Sequence, residues 1–266
     1  MQTTTDAYAH CGLSKYEPIE SLCAVLAAAC VQRAVLVQHL GEFDNRYIAD
    51  IARHDPHRFA AVGMIDPARA DLHDSLHELS ENLGCRGVRL TANMVSVNPG
   101  LLDLATRVGL HVMLWAPDGL TAYSGALEAA LERAPETRLV ISHLGTPREE
   151  ESPTFTIFES LKQLSRYPHV YVLVSGMKMS CPFPHEPLYP LIEQVIELFG
   201  PRRLMWGSNF PVVGGLVDYR ADLGLLLEGK LPIGREDIQA VAGGNARRLW
   251  FGGGREEGTG KVVKFS

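Results

Sequence analysis

The sequence predicts a single (β/α)8 barrel of the TIM type. Three observations carry that prediction. Short apolar runs alternate with longer segments of helical periodicity, and eight such pairs can be counted. The chain has 266 residues, close to the roughly 250 that one such barrel takes. The apolar runs are continuous, which implies a parallel sheet covered on both faces. Eight units in this length favour a closed barrel over an open doubly wound sheet.

The expected strands are Asp6–Cys11, Arg33–Gln38, Phe59–Ile65, Gly87–Leu90, His111–Ala116, Arg138–His143, His169–Ser175 and Arg203–Gly207. The first helix is expected at Glu17–Cys30, where Ile19, Leu22, Leu26 and Cys30 recur at helical spacing. Further helical patterns cover Asp44–His54, Ala70–Leu83, Pro99–Val108, Gly125–Ala134, Thr154–Ser165 and Pro187–Phe199. Gly84, Gly109 and Gly200 follow three of them as stop signals. Tyr219–Leu227 and Arg235–Trp250 read as closing helices. The barrel is expected over residues 1–251. The stretch 252–266 is Gly-rich and charged, and is expected to be a flexible tail.

Composition excludes several classes. Hydrophobic residues make up 46% and charged residues 21%, an ordinary globular balance. The net charge of −6, with no Lys/Arg run, argues against a nucleic-acid partner. No apolar stretch approaches the ~20 residues of a membrane span. The five cysteines, Cys11, Cys23, Cys30, Cys85 and Cys181, are odd in number and form no CxxC. Reduced thiols, a polar N-terminus and hence a cytoplasmic location are the expectation. The sequence does not encode an oligomeric state, though a homodimer suits a barrel of this kind.

In this fold the chemistry sits at the C-terminal strand ends. Strand one ends in Tyr8 and His10, two residues apart and therefore on one side. Strand four offers Arg89, strand five Trp115, strand six His143, strand seven Ser175, and strand eight Trp206, Ser208 and Asn209. A lone strand-end histidine is more often structural than catalytic, but two of them shift the balance towards chemistry. An arginine aimed into a barrel mouth is costly unless it binds an anion or pairs with a carboxylate such as Asp66 or Asp118. Trp115 and Trp206 fit packing, or the wall of an aromatic pocket. His54, His57, His73 and His77 read as solvated. Cys181 and His185, four apart in one loop, are weak candidates for a nucleophilic pair.

Taken together, DAYAHCG, RAVLVQ with the later DN, VISHLGTP, VYVLVSGM, GPRRLMWGSNFP and GGNARRLW resemble the amidohydrolase-related group often labelled amidohydrolase 2. That group includes sugar and dicarboxylate lactonases and aromatic-acid decarboxylases. The resemblance runs from Asp6 to about Trp250 and implies the same barrel. It also implies a metal site: an HxH pair on strand one, histidines ending strands five and six, and an aspartate on strand eight. Here Tyr8 stands for the first histidine and His10 matches the second. Trp115 occupies the strand-five position, His143 matches on strand six, and Asn209 replaces the aspartate. A catalytic divalent metal takes three or four protein ligands. Two histidines fall short, and an amide offers no basic site near neutral pH. No cofactor is therefore expected, and a divalent metal such as zinc is disfavoured.

The leading expectation is a metal-independent hydrolase of a lactone or other activated ester or amide, since some lactonases of this group work without a metal. His10 or His143 would activate water. The other histidine, with Tyr8 and Asn209, would stabilise the oxyanion. Arg89 would hold a substrate carboxylate, with Trp115, Ser175 and Trp206 lining the pocket. The partner would be a small, anionic molecule. Three alternatives stay open: proton-transfer chemistry such as isomerisation, cyclisation or decarboxylation; a metal-dependent hydrolase; and a ligand-binding pseudoenzyme.

Overall fold

A computed structural model describes residues 3–252. Eight parallel strands pair with their sequence neighbours in unbroken order: β1 (Thr5–Ala9), β2 (Arg33–Val37), β3 (Phe59–Met64), β4 (Gly87–Thr91), β5 (His111–Trp115), β6 (Leu139–Ile141), β7 (Val170–Ser175) and β8 (Leu204–Gly207). The two ends of the sheet meet just past β1 and β8. There the His10 N–H donates to the Phe210 carbonyl and the Asn209 N–H to the Tyr8 carbonyl, each at 2.8 Å. The result is a nearly closed (β/α)8 barrel.

Around it lie α1 (Ile19–Ala28), α2 (Arg46–His54), α3 (Leu72–His77), α4 (Ala92–Val97), α5 (Leu101–Arg107), α6 (Ser124–Arg133), α7 (Ile157–Ser165), α8 (Tyr189–Phe199) and α9 (Leu216–Leu227). Strand alternation separates two apolar layers. Val35, Val62, Met113, Val140, Leu173 and Met205 fill the lumen. Leu36, Val88, Val112, Ile141, Val172 and Leu204 pack against the helices. Trp250 plugs the N-terminal end of the lumen. Gly87, first in β4, makes room for it, because a Cβ there would lie 2.9 Å from the indole ring. His111, first in β5, bonds the Leu249 carbonyl at 3.1 Å. The opposite end is left for chemistry.

Strand β1 ends at Ala9 rather than Cys11, and the helices depart from the sequence reading at three places. The pattern Ala70–Leu83 is helical as α3 and then widens over Glu78–Asn82. The helix α4 was not expected in a segment carrying Asn, Ser and three valines-or-methionine side chains; the Thr91 hydroxyl, accepting the Met94 N–H at 3.2 Å, starts it. The final helix begins near residue 238 rather than at Arg235. Of the predicted flexible tail, residues 253–266 lie outside the described residues. No helix among the described residues is long and apolar enough to cross a membrane.

Candidate active site

Tyr8 sits fully buried at the top of the lumen. It fits because β8 passes it with a glycine: a Cβ on Gly207 would lie 2.7 Å from the Tyr8 Cβ. The phenol ring meets two imidazoles edge-on, His10 at 5.1 Å and His143 at 4.6 Å between centroids. Its hydroxyl is buried without a partner, as is that of Ser142, directly after β6. Burial raises the Tyr8 pKa, opposed by the nearby Arg89 charge, so the phenol keeps its proton.

His10 follows β1 directly. Its Nδ1 lies 2.6 Å from the Val37 carbonyl. A carbonyl only accepts, so Nδ1 carries the proton and Nε2 carries the lone pair. Tyr16, from the loop after β1, stacks on the ring at 4.7 Å and 14°. Burial, and then the Arg89 charge, hold the His10 pKa well below its ordinary value.

His143 was expected at the end of a strand, but β6 stops at Ile141. The chain then turns through positive φ at His143 (55°), Leu144 (53°) and Thr146 (65°). Non-glycine residues rarely adopt this left-handed conformation, which costs roughly 1–2 kcal/mol per residue. Such strain persists where the surroundings hold it. Ser175 Oγ lies 3.0 Å from His143 Nδ1 and accepts the His143 N–H at 3.3 Å. Gly176 lies against the ring; a Cβ there would come within 2.5 Å of Nδ1. Burial, followed by the Arg89 charge, lowers the His143 pKa to about 3. Both imidazoles are therefore neutral near pH 7.

Arg89 is 4% exposed. Its guanidinium lies 4.8 Å from the Trp115 ring centroid and 5.9 Å from that of Tyr8. It donates to the Gln38 carbonyl at 2.8 Å, while its Nε has no partner. The alternative of an ion pair with Asp66 or Asp118 is not realised. Asp66 instead accepts the Ala68 N–H, and Asp118 the Tyr123 hydroxyl. The Trp115 indole N–H is likewise buried and unpartnered. A desolvated cation and an orphaned donor thus lie side by side, each short of a polar partner.

Asn209 closes the ring of residues. It is buried, adopts φ 58°, and donates from Nδ2 to the Met179 sulfur at 3.1 Å. Trp206 is not brought to the site. It belongs to the outer apolar layer and meets Tyr219 of α9 edge-on at 5.6 Å, because β8 alternation turns it away from the lumen. Tyr16, Gln38, Ser142 and Met179 were not singled out in the sequence. None lies in a pattern that marks it; each reaches the site from another loop or strand.

Two further chemistries fit poorly. Among the described residues no group of three or more His, Cys, Asp or Glu could hold a metal ion. His10 and His143 flank a protonated phenol and share their surroundings with a buried guanidinium, which disfavours a second cation. The Cys181–His185 pair is no nucleophile. The sulfur is 3.9 Å from Nδ1, but that nitrogen bonds the Cys181 carbonyl at 2.9 Å, and Nε2 bonds Asp222 at 3.1 Å. Burial pushes the Cys181 thiol to about 11.

The chain has relatives. The family model described as Amidohydrolase matches residues 15–252. The chain belongs to the amidohydrolase family. It is a hydrolase of that superfamily by the same criterion. Among amidohydrolase relatives, the L-fucono-1,5-lactonase of Burkholderia ambifaria is 29% identical over 232 residues, covering 83% of this chain and 78% of the relative. The 4-sulfomuconolactone hydrolase of Rhizobium radiobacter is 26% identical over 210 residues, covering 74% and 67%. A solved structure assigned as a 2-pyrone-4,6-dicarboxylic acid hydrolase of Pseudomonas putida superposes with a TM-score of 0.76 at 25% identity, covering 96% of this chain and all of that one.

Proposed function

We propose that this amidohydrolase opens a lactone bearing an anionic group, using imidazole rather than a metal ion to activate water. The observation that carries the reading is the pair of neutral, buried imidazoles flanking Tyr8 beside the unpaired cation Arg89. The relatives support the reaction class: two are named for lactones, and one of those substrates carries a sulfonate.

His10 is the general base, because its proton is committed to Val37 through Nδ1 and its Nε2 bonds no protein group among the described residues. Nε2 takes a proton from water as the oxygen adds to the lactone carbonyl. The Tyr8 hydroxyl and the His143 and Asn209 side chains supply hydrogen bonds to the oxyanion. Collapse of that intermediate breaks the ring C–O bond, and His10 returns its proton to the leaving oxygen. Arg89 holds the substrate anion. Pairing also compensates the charge that helps keep both imidazoles acidic, so His10 becomes a stronger base once the substrate is bound.

The test is a panel of anionic lactones, with uncharged sugar lactones alongside, run in isotopically labelled water. The expected result is ring opening of an anionic lactone with one labelled oxygen entering the new carboxylate. A product without label would replace hydrolysis by proton-transfer chemistry, and binding without turnover would leave a ligand-binding protein.

A further inference from the structure

Asp6 lies two residues before Tyr8, is fully buried, and takes no part in the steps above. Its carboxylate accepts four hydrogen bonds. Oδ1 takes the N–H groups of Tyr8 at 3.1 Å and Ser208 at 2.9 Å. Oδ2 takes the hydroxyls of Ser208 at 2.6 Å and of Tyr219 on α9 at 3.0 Å. The location is the seam of the barrel. Every other adjacent strand pair forms a ladder, whereas among the described residues β1 meets the chain just past β8 at one isolated bridge, Ala9 to Phe210. The register of β1 also shifts between Asp6 and Ala9. Where ladder hydrogen bonds are missing, one carboxylate ties both backbones to a helix.

The two tied segments are the ones that carry site residues: Tyr8 itself, and Ser208, which precedes Asn209. We propose that Asp6 is a positioning residue whose carboxylate, anchored on Tyr219, stitches β1 to β8 and sets Tyr8 and Asn209 across the site. The roles of Tyr8 and Asn209 rest on the lactone reading; the stitch itself does not.

The stitch depends on ionisation, because only a carboxylate can accept from all four donors. Burial raises the Asp6 pKa to about 6, against the hydrogen bonds from Ser208, Tyr8 and Tyr219. Tyr219 is the titratable group bonded to it, and burial followed by the Asp6 charge holds its pKa well above the ordinary value. The other charged groups of α9 turn elsewhere: Asp218 to Lys178, Arg220 to the Ala28 carbonyl, Asp222 to His185. Arg33 of β2 lies over Phe251. As pH falls through about 6, Asp6 takes a proton, loses an acceptor and loosens the seam. His10 and His143 do not ionise there, since their pKa values are held lower. An acid limb near that pH in kcat/KM, which reads the free enzyme, therefore reports Asp6.

The test compares wild type with Asp6→Asn, reading kcat, KM, the pH profile and amide hydrogen exchange. Asparagine keeps one oxygen for the two N–H groups, so the barrel still forms. The expected result is faster exchange at Tyr8 and Ser208 with β4 and β5 unchanged. On a lactone substrate kcat should drop about tenfold with KM within about twofold, and the limb near pH 6 should vanish. A variant with wild-type exchange at Tyr8 and Ser208, or one that keeps the acid limb, overturns the proposal; so does exchange rising equally in every strand. If wild type opens no lactone, the functional reading fails, and the exchange pattern alone decides the stitch.

Discussion

Replacing Arg89 by methionine is expected to cut kcat/KM on an anionic lactone by about a hundredfold or more, while Tm stays unchanged or rises. The two halves have separate causes. Losing a buried charge-assisted contact to the substrate anion costs about 2–5 kcal/mol, and each 1.4 kcal/mol or so is tenfold. In the free protein the same guanidinium is 4% exposed and has one hydrogen bond, to the Gln38 carbonyl. Burying a cation without a counter-ion is unfavourable, and an apolar side chain of similar length relieves it. A residue that stabilised the fold would show the opposite pattern, with activity and Tm falling together. Lysine should not rescue activity, since it offers neither Nε nor a planar fork. On an uncharged lactone the same variant should lose far less. Steady-state kinetics on both substrates, with thermal melts, check the prediction.

His10→Ala is the second large effect. A positioned general base contributes about 10²- to 10⁴-fold, so kcat should fall in that range with little change in KM. His143→Ala should fall less, because one hydrogen-bond donor among several is lost. The order of the two variants follows from proton placement. The Val37 carbonyl fixes His10 as a lone-pair donor at Nε2, whereas Ser175 Oγ can give or take a proton and leaves the His143 tautomer free. If His143→Ala were the more damaging, the roles of base and oxyanion partner would be exchanged.

Much of this site was legible in the sequence, for reasons that also mark where legibility ends. Tyr8 and His10 were readable together because strand period is two, and Arg89 because a charge inside an apolar run has few structural uses. Trp206 misled because parity needs a reference: only with Met205 and Gly207 known to face the lumen does Trp206 point outwards. His143 was assigned to a strand because left-handed φ in a non-glycine run leaves no mark in composition. The partner of Arg89 is a backbone carbonyl 51 residues away, and Asp6 bonds Ser208 and Tyr219 across more than 200 residues. Such contacts are set by barrel closure and not by local pattern. The strand-eight asparagine, by contrast, is legible from sequence alone, and the proposal of a metal-independent reaction starts from it, since an amide cannot replace a carboxylate base.

The central claim is that imidazole, and not a bound metal, activates the water. It is tested most directly by measuring kcat/KM on a lactone substrate before and after exhaustive dialysis against a chelator, with metal content determined on the same samples. The account predicts substoichiometric metal throughout and an unchanged kcat/KM. One equivalent of zinc or manganese, whose removal abolishes turnover and whose return restores it, would contradict it.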